Sequence, residues 1–426
     1  MRSRLAAWSL AAFLMAGAND LSAADAPPPA PAAMTAPQAM KTVSLALSRV
    51  DVPAMAELYQ QNPDPVVRVL AAMTLERIHF NLGKSSEDAL LCEKELLDKR
   101  PQVAFFCAGF ANGNLRLSKG SKAAEADALA ILRRFQGRVP QADLDALSSF
   151  VEQRRGLPEF QLSRPESVVT IPLTKAYGDD RGEVTLEANG ESSRMILDTG
   201  AGPVVLDEDT AKKLGVRLTG IDGRIGGLLS KGVPTQQGVL DKATFGGITL
   251  ENVPVEVVQA HRRLIGMDVL RHLGAFHLTK RNLYIYSKTS TRPVCDQPML
   301  VSTSLWGNSV RAVTALSIDG TLRTTLLDSG SAFYLNGNQA AAEQVGVIYN
   351  RRLHLSDIGA THAARVSQAT ADVIVSGQPI KMTFGVFRDV DMPWDYILGS
   401  GSLGDMDFFF DFDRHNTCLL LHNNLR

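Results

Sequence analysis

Between residues 40 and 160 the apolar positions follow a helical spacing rather than an alternating one. The segments 66–73 and 123–135, both rich in alanine or leucine, show this spacing. Turn signals separate the helical segments, and they lie at residues 62–65, 82–84 and 119–121. The pattern predicts a small domain of antiparallel helices over residues 40–160.

From about residue 161 short apolar strands joined by tight turns replace the helical spacing, and one arrangement occurs twice. Asn189-Gly190 and Asp319-Gly320 favour the turns that connect paired strands. Nine residues after the start of each turn comes an acidic triplet, Asp198-Thr199-Gly200 in the first copy and Asp328-Ser329-Gly330 in the second. Each Asp is therefore expected at the end of the second strand of a hairpin.

Each copy continues to a second signature, two apolar residues followed by glycine. The signature occupies residues 264–266 in the first copy and 397–399 in the second, with its glycine 68 and 71 residues after the Asp. A polar turn and an apolar strand then close each copy, at 283–286 and 418–421. The repeated order of elements indicates an internal duplication.

Both copies resemble the pepsin and retropepsin superfamily of aspartic proteases, over roughly residues 165–426. Leu-Asp-Thr-Gly-Ala at 197–201 and Ile-Gly-Met-Asp at 265–268 are similar to bacterial retropepsin-like sequences. Asp-Ser-Gly-Ser at 328–331 is similar to the second lobe of pepsin-like enzymes. The resemblance implies two lobes within one chain.

The implied fold class is multidomain α plus β, with the helical domain followed by a bilobal all-β acid-protease fold. The two related lobes would occupy residues 161–290 and 291–426. The implied activity is that of an exported aspartic endopeptidase acting on peptide or protein substrates. Asp198 and Asp328 would hold one proton between them, because two carboxylates about 3 Å apart do not both ionise readily. One would activate water and the other would act as acid, without metal or cofactor.

Neighbouring residues complete the implied site. Thr199 and Ser329 would hydrogen-bond across the pseudo-twofold axis and lock the two loops together. Gly200 and Gly330 would leave room for the backbone. The two apolar-apolar-Gly signatures would pack behind the loops, and their supporting residues would be Ile265, Gly266, Leu398 and Gly399.

The two copies differ at the residue after the triplet, which is Ala201 in the first and Ser331 in the second. A hydroxyl group that donates to a carboxylate favours its ionised form. We therefore expect Ser331 to make Asp328 the base and to leave Asp198 as the more readily protonated partner.

Both copies have room for a flap, the β-hairpin that covers an extended peptide in this family. The first candidate spans about residues 222–239 and includes Gly226 and Gly227, and the second spans about 356–361 and includes Gly359. Neither contains the tyrosine usual in the pepsin flap.

Two other functional classes remain open at this point. The first is a catalytically inactive peptide-binding protein of the same fold, because a duplicated β lobe can keep its acidic turns after activity is lost. The second is a helical scaffold whose protease-like region only mediates assembly.

The N-terminus predicts export. Arg2 and Arg4, an apolar stretch at 5–17 and small residues at 22–24 are typical of a signal peptide over residues 1–24. A Pro/Ala-rich linker is expected over residues 25–39. The expected location is periplasmic or secreted with no stable membrane span, or membrane-anchored if the signal is not cleaved.

Four cysteines in an exported chain predict two disulfides. Cys92 and Cys107 fall in one helical region, while Cys295 and Cys418 bracket the second lobe. We expect these two pairs, although three pairings are formally possible and free buried thiols are an alternative.

The role of the helical domain stays open among three alternatives. It could dock a partner protein or substrate, it could stabilise the β domain, or it could be a propeptide that covers the cleft. Its helix pairs resemble tetratricopeptide-like repeats, although the repeat consensus cannot be placed.

Charge and motifs exclude other classes. The formal net charge of −1 gives no reason to expect nucleic acid as a partner. Gly-Ser-Gly-Ser-Leu-Gly at 399–404 matches a dinucleotide-binding pattern, but only 22 residues follow it, too few for the required unit. The eight histidines form no zinc-protease motif, and no Gly-x-Ser-x-Gly elbow occurs.

Overall fold

The fold is described by a computed structural model of the chain. The described residues are 34–152, 156–176, 181–295, 297–341, 349–359, 361–387, 390 and 392–422. The expected signal peptide at 1–24 and the linker residues up to 33 lie outside these ranges.

A helical region comes first, followed by a β-rich region with several sheets. The helices of the first region are α1 (Ala36–Arg49), α2 (Val52–Gln61), α3 (Pro65–Ile78), α4 (Leu82–Leu96), α5 (Pro101–Lys119), α6 (Ser121–Phe135) and α7 (Gln141–Glu152).

Two features of the helical region differ from the expectations, and local capping explains the first. Helix α1 begins at Ala36, inside the stretch assigned to the linker, because the Thr35 amide donates to Gln38 Oε1 at 2.9 Å and Pro37 occupies the first turn. The expected turn at 82–84 is instead the first turn of α4. Glycine there has lowered helix propensity without ending the helix.

The β region contains twenty-two strands within the described residues, and two short helices, α8 (Glu208–Leu214) and α9 (Met267–Leu270). The strands up to Tyr286 are β1 (Gln161–Leu162), β2 (Val169–Pro172), β3 (Thr174–Lys175), β4 (Gly182–Ala188), β5 (Glu191–Leu197), β6 (Val204–Asp207), β7 (Arg217–Ile225), β8 (Val233–Phe245), β9 (Ile248–Val258), β10 (Leu264–Ile265), β11 (Ala275–Leu278) and β12 (Asn282–Tyr286). The later strands are β13 (Leu300–Ser302), β14 (Arg311–Ile318), β15 (Thr321–Asp328), β16 (Leu335–Gly337), β17 (Tyr349–Ser356), β18 (Thr361–Val375), β19 (Gln378–Phe387), β20 (Tyr396–Gly399), β21 (Met406–Asp411) and β22 (Asn416–Leu421).

Three sheets organise these strands. A nine-stranded sheet holds β1 and β3 to β10, and an eight-stranded sheet holds β13 to β20. The third sheet has the order β2-β12-β11-β21-β22, so strands from before and after residue 290 share it. Phe276 on β11 stacks on Phe410 of β21 with ring centroids 4.7 Å apart. The two halves of the β region are therefore joined by a continuous sheet with an aromatic core.

The predicted hairpins form at both turns. β4 and β5 pair around Asn189-Gly190, and β14 and β15 pair around Asp319-Gly320. Asn189 and Asp319 have φ of 53° and 46°, and the glycine after each also has positive φ. Asn-Gly and Asp-Gly tolerate this left-handed conformation, which is why these dipeptides favour tight hairpins.

Both expected disulfides fit the structure. Cys92 on α4 is bonded to Cys107 on α5, and Cys295 is bonded to Cys418 on β22. The first bond joins two adjacent helices. The second ties the segment before β13 to the sheet shared by both halves.

A loop of the β region is embedded in the helical region. Arg77, fully buried on α3, donates to the backbone oxygens of Ser304 and Leu305 at 3.1 and 2.8 Å. The same guanidinium donates to Asn114 Oδ1 at 2.7 Å and lies over the Phe110 ring. Backbone carbonyls and an amide thus solvate a buried cation, and burial lowers its pKa to about 9.

The loop packs against a glycine face of α5. A Cβ at Gly109 would lie within 3 Å of the Trp306 ring, and one at Gly113 would collide with the Leu305 carbonyl and reach the Gly307 nitrogen at 3.0 Å. Helix and loop therefore approach each other more closely than any larger residue allows. The contact also joins the cores, since α1 to α5 share an apolar cluster with strands of the eight-stranded sheet.

Gly113→Ala is predicted to destabilise the protein by about 1 to 3 kcal/mol, because the new methyl group meets backbone atoms that cannot move independently. Chemical denaturation measures the change. Gly83→Ala is the matched control, since Gly83 is also helical and has no atom near the added Cβ. It should stabilise by roughly 0.4 to 1 kcal/mol. Equal effects of the two substitutions would contradict the packing described.

Candidate active site

Asp198 and Asp328 occupy equivalent places at the ends of hairpins. Asp198 follows β5 and Asp328 is the last residue of β15. Each carboxylate accepts two backbone N–H groups from its own loop. Asp198 Oδ1 accepts from residues 200 and 201 at 3.0 and 2.9 Å, and Asp328 Oδ1 accepts from residues 330 and 331 at 2.9 and 3.1 Å. Each turn thereby fixes the orientation of its own carboxylate.

Thr199 and Ser329 lock the two loops together by reciprocal hydrogen bonds. The Thr199 hydroxyl donates to the Leu327 carbonyl at 2.6 Å and accepts from the Ser329 amide at 3.0 Å. The Ser329 hydroxyl donates to the Leu197 carbonyl at 2.7 Å and accepts from the Thr199 amide at 3.1 Å. Both side chains are buried. The loops therefore cross at one fixed geometry, with each hydroxyl group fully used.

Gly200 and Gly330 let the two loops approach. A Cβ on Gly200 would collide with the Asp328 carboxyl group, and one on Gly330 would collide with that of Asp198. Each glycine thus lies against the acid of the opposite loop. Any larger residue at either position would displace the opposite carboxyl group, which is why glycine is needed here.

The two apolar-apolar-Gly signatures lie directly behind the loops. β10 pairs in parallel with β5, and β20 pairs in parallel with β15, so Asp328 lies opposite Gly399. The Asp198 amide donates to the Ile265 carbonyl at 3.0 Å. A Cβ on Gly266 or Gly399 would collide with carbonyls of the adjacent catalytic loop. Ile265 and Leu398, both buried, complete this backing layer.

The electrostatics of the pair favour a single shared proton. Burial raises the pKa of Asp198, and burial together with the neighbouring Asp198 charge raises the pKa of Asp328 to about 8. The two carboxyl groups are also hydrogen-bonded to one another. Because they titrate as a pair, the proton belongs to the pair near neutral pH.

Arg311 is a part of the site that the sequence reasoning missed. This residue begins β14, and its Nε donates to the Gly200 carbonyl at 2.6 Å while a terminal nitrogen donates to the Ser309 carbonyl at 3.1 Å. Burial lowers the Arg311 pKa, against the nearby charges of Asp268 and the two aspartates. A signal existed in the sequence, namely an arginine at the start of the largely apolar first strand of the hairpin that ends at the second Asp.

The Ser331 hydroxyl does not make the contact that the sequence predicted. Among the described residues Asp328 accepts from the Ser331 backbone N–H, and the hydroxyl group contributes no hydrogen bond to it. Ala201, its counterpart, also uses only its amide. The prediction that the Ser331 hydroxyl makes Asp328 the charged partner is therefore wrong in its reason, because that hydroxyl does not donate to Asp328. Burial raises the pKa of Asp198, and the hydrogen bond with Asp328, the two backbone amides of its own loop and, last, the Arg311 charge oppose that rise.

The candidate flaps are long hairpins whose tips meet. β7 and β8 form the first, with Gly226 and Gly227 at its tip, and β17 and β18 form the second, with Gly359 near its tip. Ile225 and Ile358 pack with Ala201 on one apolar cluster. Residues of both tips therefore pack on the same apolar cluster as the loop that carries Asp198.

Part of the chain also matches a protein-family model. Residues 184–269 match a family model described as aspartyl protease. The match covers the first hairpin, Asp198 and the first backing signature, and it supports membership in the retropepsin-like aspartic protease superfamily. No curated protein matches the chain.

Among the described residues there is neither a candidate metal-binding group nor a helix that could span a membrane. No group of three or more His, Cys, Asp or Glu residues there is arranged to hold a metal ion. None of the helices in that part of the chain is long and apolar enough to cross a membrane.

Thr199→Val is predicted to destabilise the protein by about 2 to 4 kcal/mol, because the isosteric side chain leaves the buried Leu327 carbonyl and Ser329 amide without their partner. Thermal or chemical unfolding measures the loss. Thr199→Ser keeps the hydroxyl group and should lose much less. If both variants unfold alike, the crossed hydrogen bonds contribute little.

Proposed function

We propose that this chain is an exported aspartic endopeptidase whose dyad, Asp198 and Asp328, is assembled within one chain. The observation that carries the proposal is the reciprocal crossing of the two loops, which brings two partly buried carboxyl groups into hydrogen-bond contact. The family match to residues 184–269 supports the same class of chemistry. It supports peptide as the class of substrate.

The dyad performs the chemistry through its shared proton. Asp198 is the ionised member and Asp328 the protonated one. Burial and then the neighbouring Asp198 charge raise the pKa of Asp328 to about 8. Burial also raises the pKa of Asp198, but the hydrogen bond with Asp328, two backbone amides and the Arg311 charge oppose that rise. Asp198 takes a proton from a water molecule that attacks the scissile carbonyl, while Asp328 donates a hydrogen bond to the carbonyl oxygen. Proton transfer to the leaving amine completes hydrolysis.

The two halves of the β region act as related lobes in this proposal. Their corresponding hairpins, crossed loops and backing strands support a duplicated origin. An extended peptide would lie between the catalytic loops and the two long hairpins. We expect the wall on the second side to be apolar, because Met392 and Trp394 belong to an apolar cluster of this half and Phe333 packs against it. Apolar side chains flanking the scissile bond fit such a wall.

Periplasmic or secreted location fits the same proposal. The two disulfides suit an oxidising compartment. The helical region acts mainly as a structural support, because its core continues into the eight-stranded sheet and its Arg77 holds the loop before Arg311. Partner docking through its outer face is compatible with that role, whereas a removable propeptide would have to give up a shared core.

Cleavage of a diverse peptide library tests the proposed activity. The wild-type protein should cleave, and Asp198→Asn or Asp328→Asn should each lower kcat by at least about 1,000-fold, because neither variant can share a proton between two carboxyl groups. Folding of both variants is checked by thermal unfolding. An inactive wild type would favour the peptide-binding alternative, and retained activity in either variant would exclude the dyad.

The pH dependence follows from the raised pKa of Asp328. We expect kcat/KM to fall as pH rises through about 8, where the pair loses its shared proton. The free energy of unfolding is also expected to fall as the pH rises. The stabilisation is fully present below the unfolded value of 3.8 and is lost as pH rises through about 8. Asp328→Asn should lose most of this dependence, measured by melting temperature between pH 4 and 9. A profile identical to that of the wild type would contradict the raised pKa.

A further inference from the structure

The tips of the two long hairpins are joined through one carboxylate, that of Asp357. Asp357 Oδ2 accepts the amides of Leu229 and Ser230, both at 2.7 Å, and Oδ1 accepts the Ser230 hydroxyl at 2.6 Å. Oδ1 also accepts the amide of Gly359 in its own tip at 3.0 Å. The acceptor belongs to the second hairpin and three of the four donors belong to the first. We call this set of contacts the Asp357 clasp.

The backbone of both tips is shaped for this approach. A Cβ on Gly227 would lie 2.9 Å from the Asp357 carboxyl carbon, and one on Gly359 would lie 2.6 Å from the Ser230 hydroxyl. Arg262 Nε donates to the Asp357 carbonyl at 2.9 Å and holds the second tip from the side of the nine-stranded sheet. Glycines and an arginine therefore fix a close contact between segments that are about 127 residues apart.

The apolar side chains of the tips each lie against the opposite half. Leu228 and Leu229 of the first tip pack against an apolar cluster whose members from the second half include Leu355 and Trp394. Ile358 of the second tip packs on the cluster that contains Ala201, next to the first catalytic triplet. The apolar side chains of each tip thus add contacts between the two halves to those of the Asp357 carboxylate.

The clasp also uses backbone donors that a substrate would need. An extended peptide that binds beneath a hairpin is held mainly by main-chain hydrogen bonds. In this structure the amides of Leu229 and Ser230 already donate to a carboxylate, which is a stronger acceptor than a peptide carbonyl. A peptide whose carbonyl groups bind these two amides therefore competes with the Asp357 carboxylate for them.

We propose that Asp357 is a positioning residue that holds both flaps closed and competes with the substrate for the amide groups of the first flap. The substrate-free cleft is then self-inhibited, and productive binding requires the clasp to open. This proposal rests on the proposed peptidase function for its kinetic consequence. The clasp itself does not depend on activity.

Hydrogen exchange of the full chain tests the clasp without reference to activity. Asp357→Asn should speed exchange in the first tip, residues 226–232, by about tenfold or more, although the substitution lies in the other hairpin, because charged hydrogen bonds between the tips are lost. Ser230→Ala removes one donor and should give a smaller increase. Asp241→Asn is the matched control, because Asp241 forms an exposed ion pair with Arg217 at the base of the same hairpin. Unchanged exchange in Asp357→Asn and Ser230→Ala would overturn the proposal.

Steady-state kinetics on peptides then tests the competition. KM should fall by about tenfold in Asp357→Asn, less in Ser230→Ala and not at all in Asp241→Asn, while kcat stays nearly constant. A purely structural role would lower kcat or leave KM unchanged, and either result would overturn the inhibitory part. If neither the wild type nor Asp357→Asn cleaves peptides, the proposed peptidase function fails and the inhibitory part fails with it. The rate of hydrogen exchange in the first tip still shows in that case whether Asp357 joins the two tips.

Discussion

The crossing of Thr199 and Ser329 is the contact on which the rest of the site depends. Two hydroxyl groups, each donating and accepting across the axis, fix the separation and orientation of two loops that belong to different hairpins. They hold the loops at a separation at which the Asp198 and Asp328 carboxyl groups are hydrogen-bonded to one another. The crossing brings the loops so close that only glycine fits in both triplets and in the strands behind them.

This partly buried acid pair is supported by residues outside the two loops. Desolvation disfavours the charge, and Arg311 compensates for part of that cost by approaching the Asp198 loop from the other half. The loop before Arg311 is held in the helical region by Arg77 and by the glycine face of α5. The helical region is in this way connected by successive contacts to the catalytic loops, which gives it a structural role in the site.

Those parts of the site that arise from local chemistry could be predicted from the sequence. The turns at Asn189 and Asp319 require positive φ that these residues tolerate, so the hairpins and the positions of both aspartates follow. Periodicity alone indicated the helical region, but it placed a turn at Gly83, where glycine lies within a helix. The Ser331 hydroxyl was expected to select the charged acid, because its side chain is adjacent in sequence, yet only its amide reaches Asp328.

The sequence by itself determined the duplicated hairpins, the two acidic triplets and the class of chemistry they allow, because a turn and its flanking strands depend on residues within about ten positions of one another. Only the tertiary structure decided where the Arg311 cation lies in the site and which residue joins the two hairpin tips. Arg311 reaches a carbonyl 111 residues away, and Asp357 accepts from a tip about 127 residues away. Such contacts depend on how the sheets pack against one another, and no local pattern of residues records that arrangement.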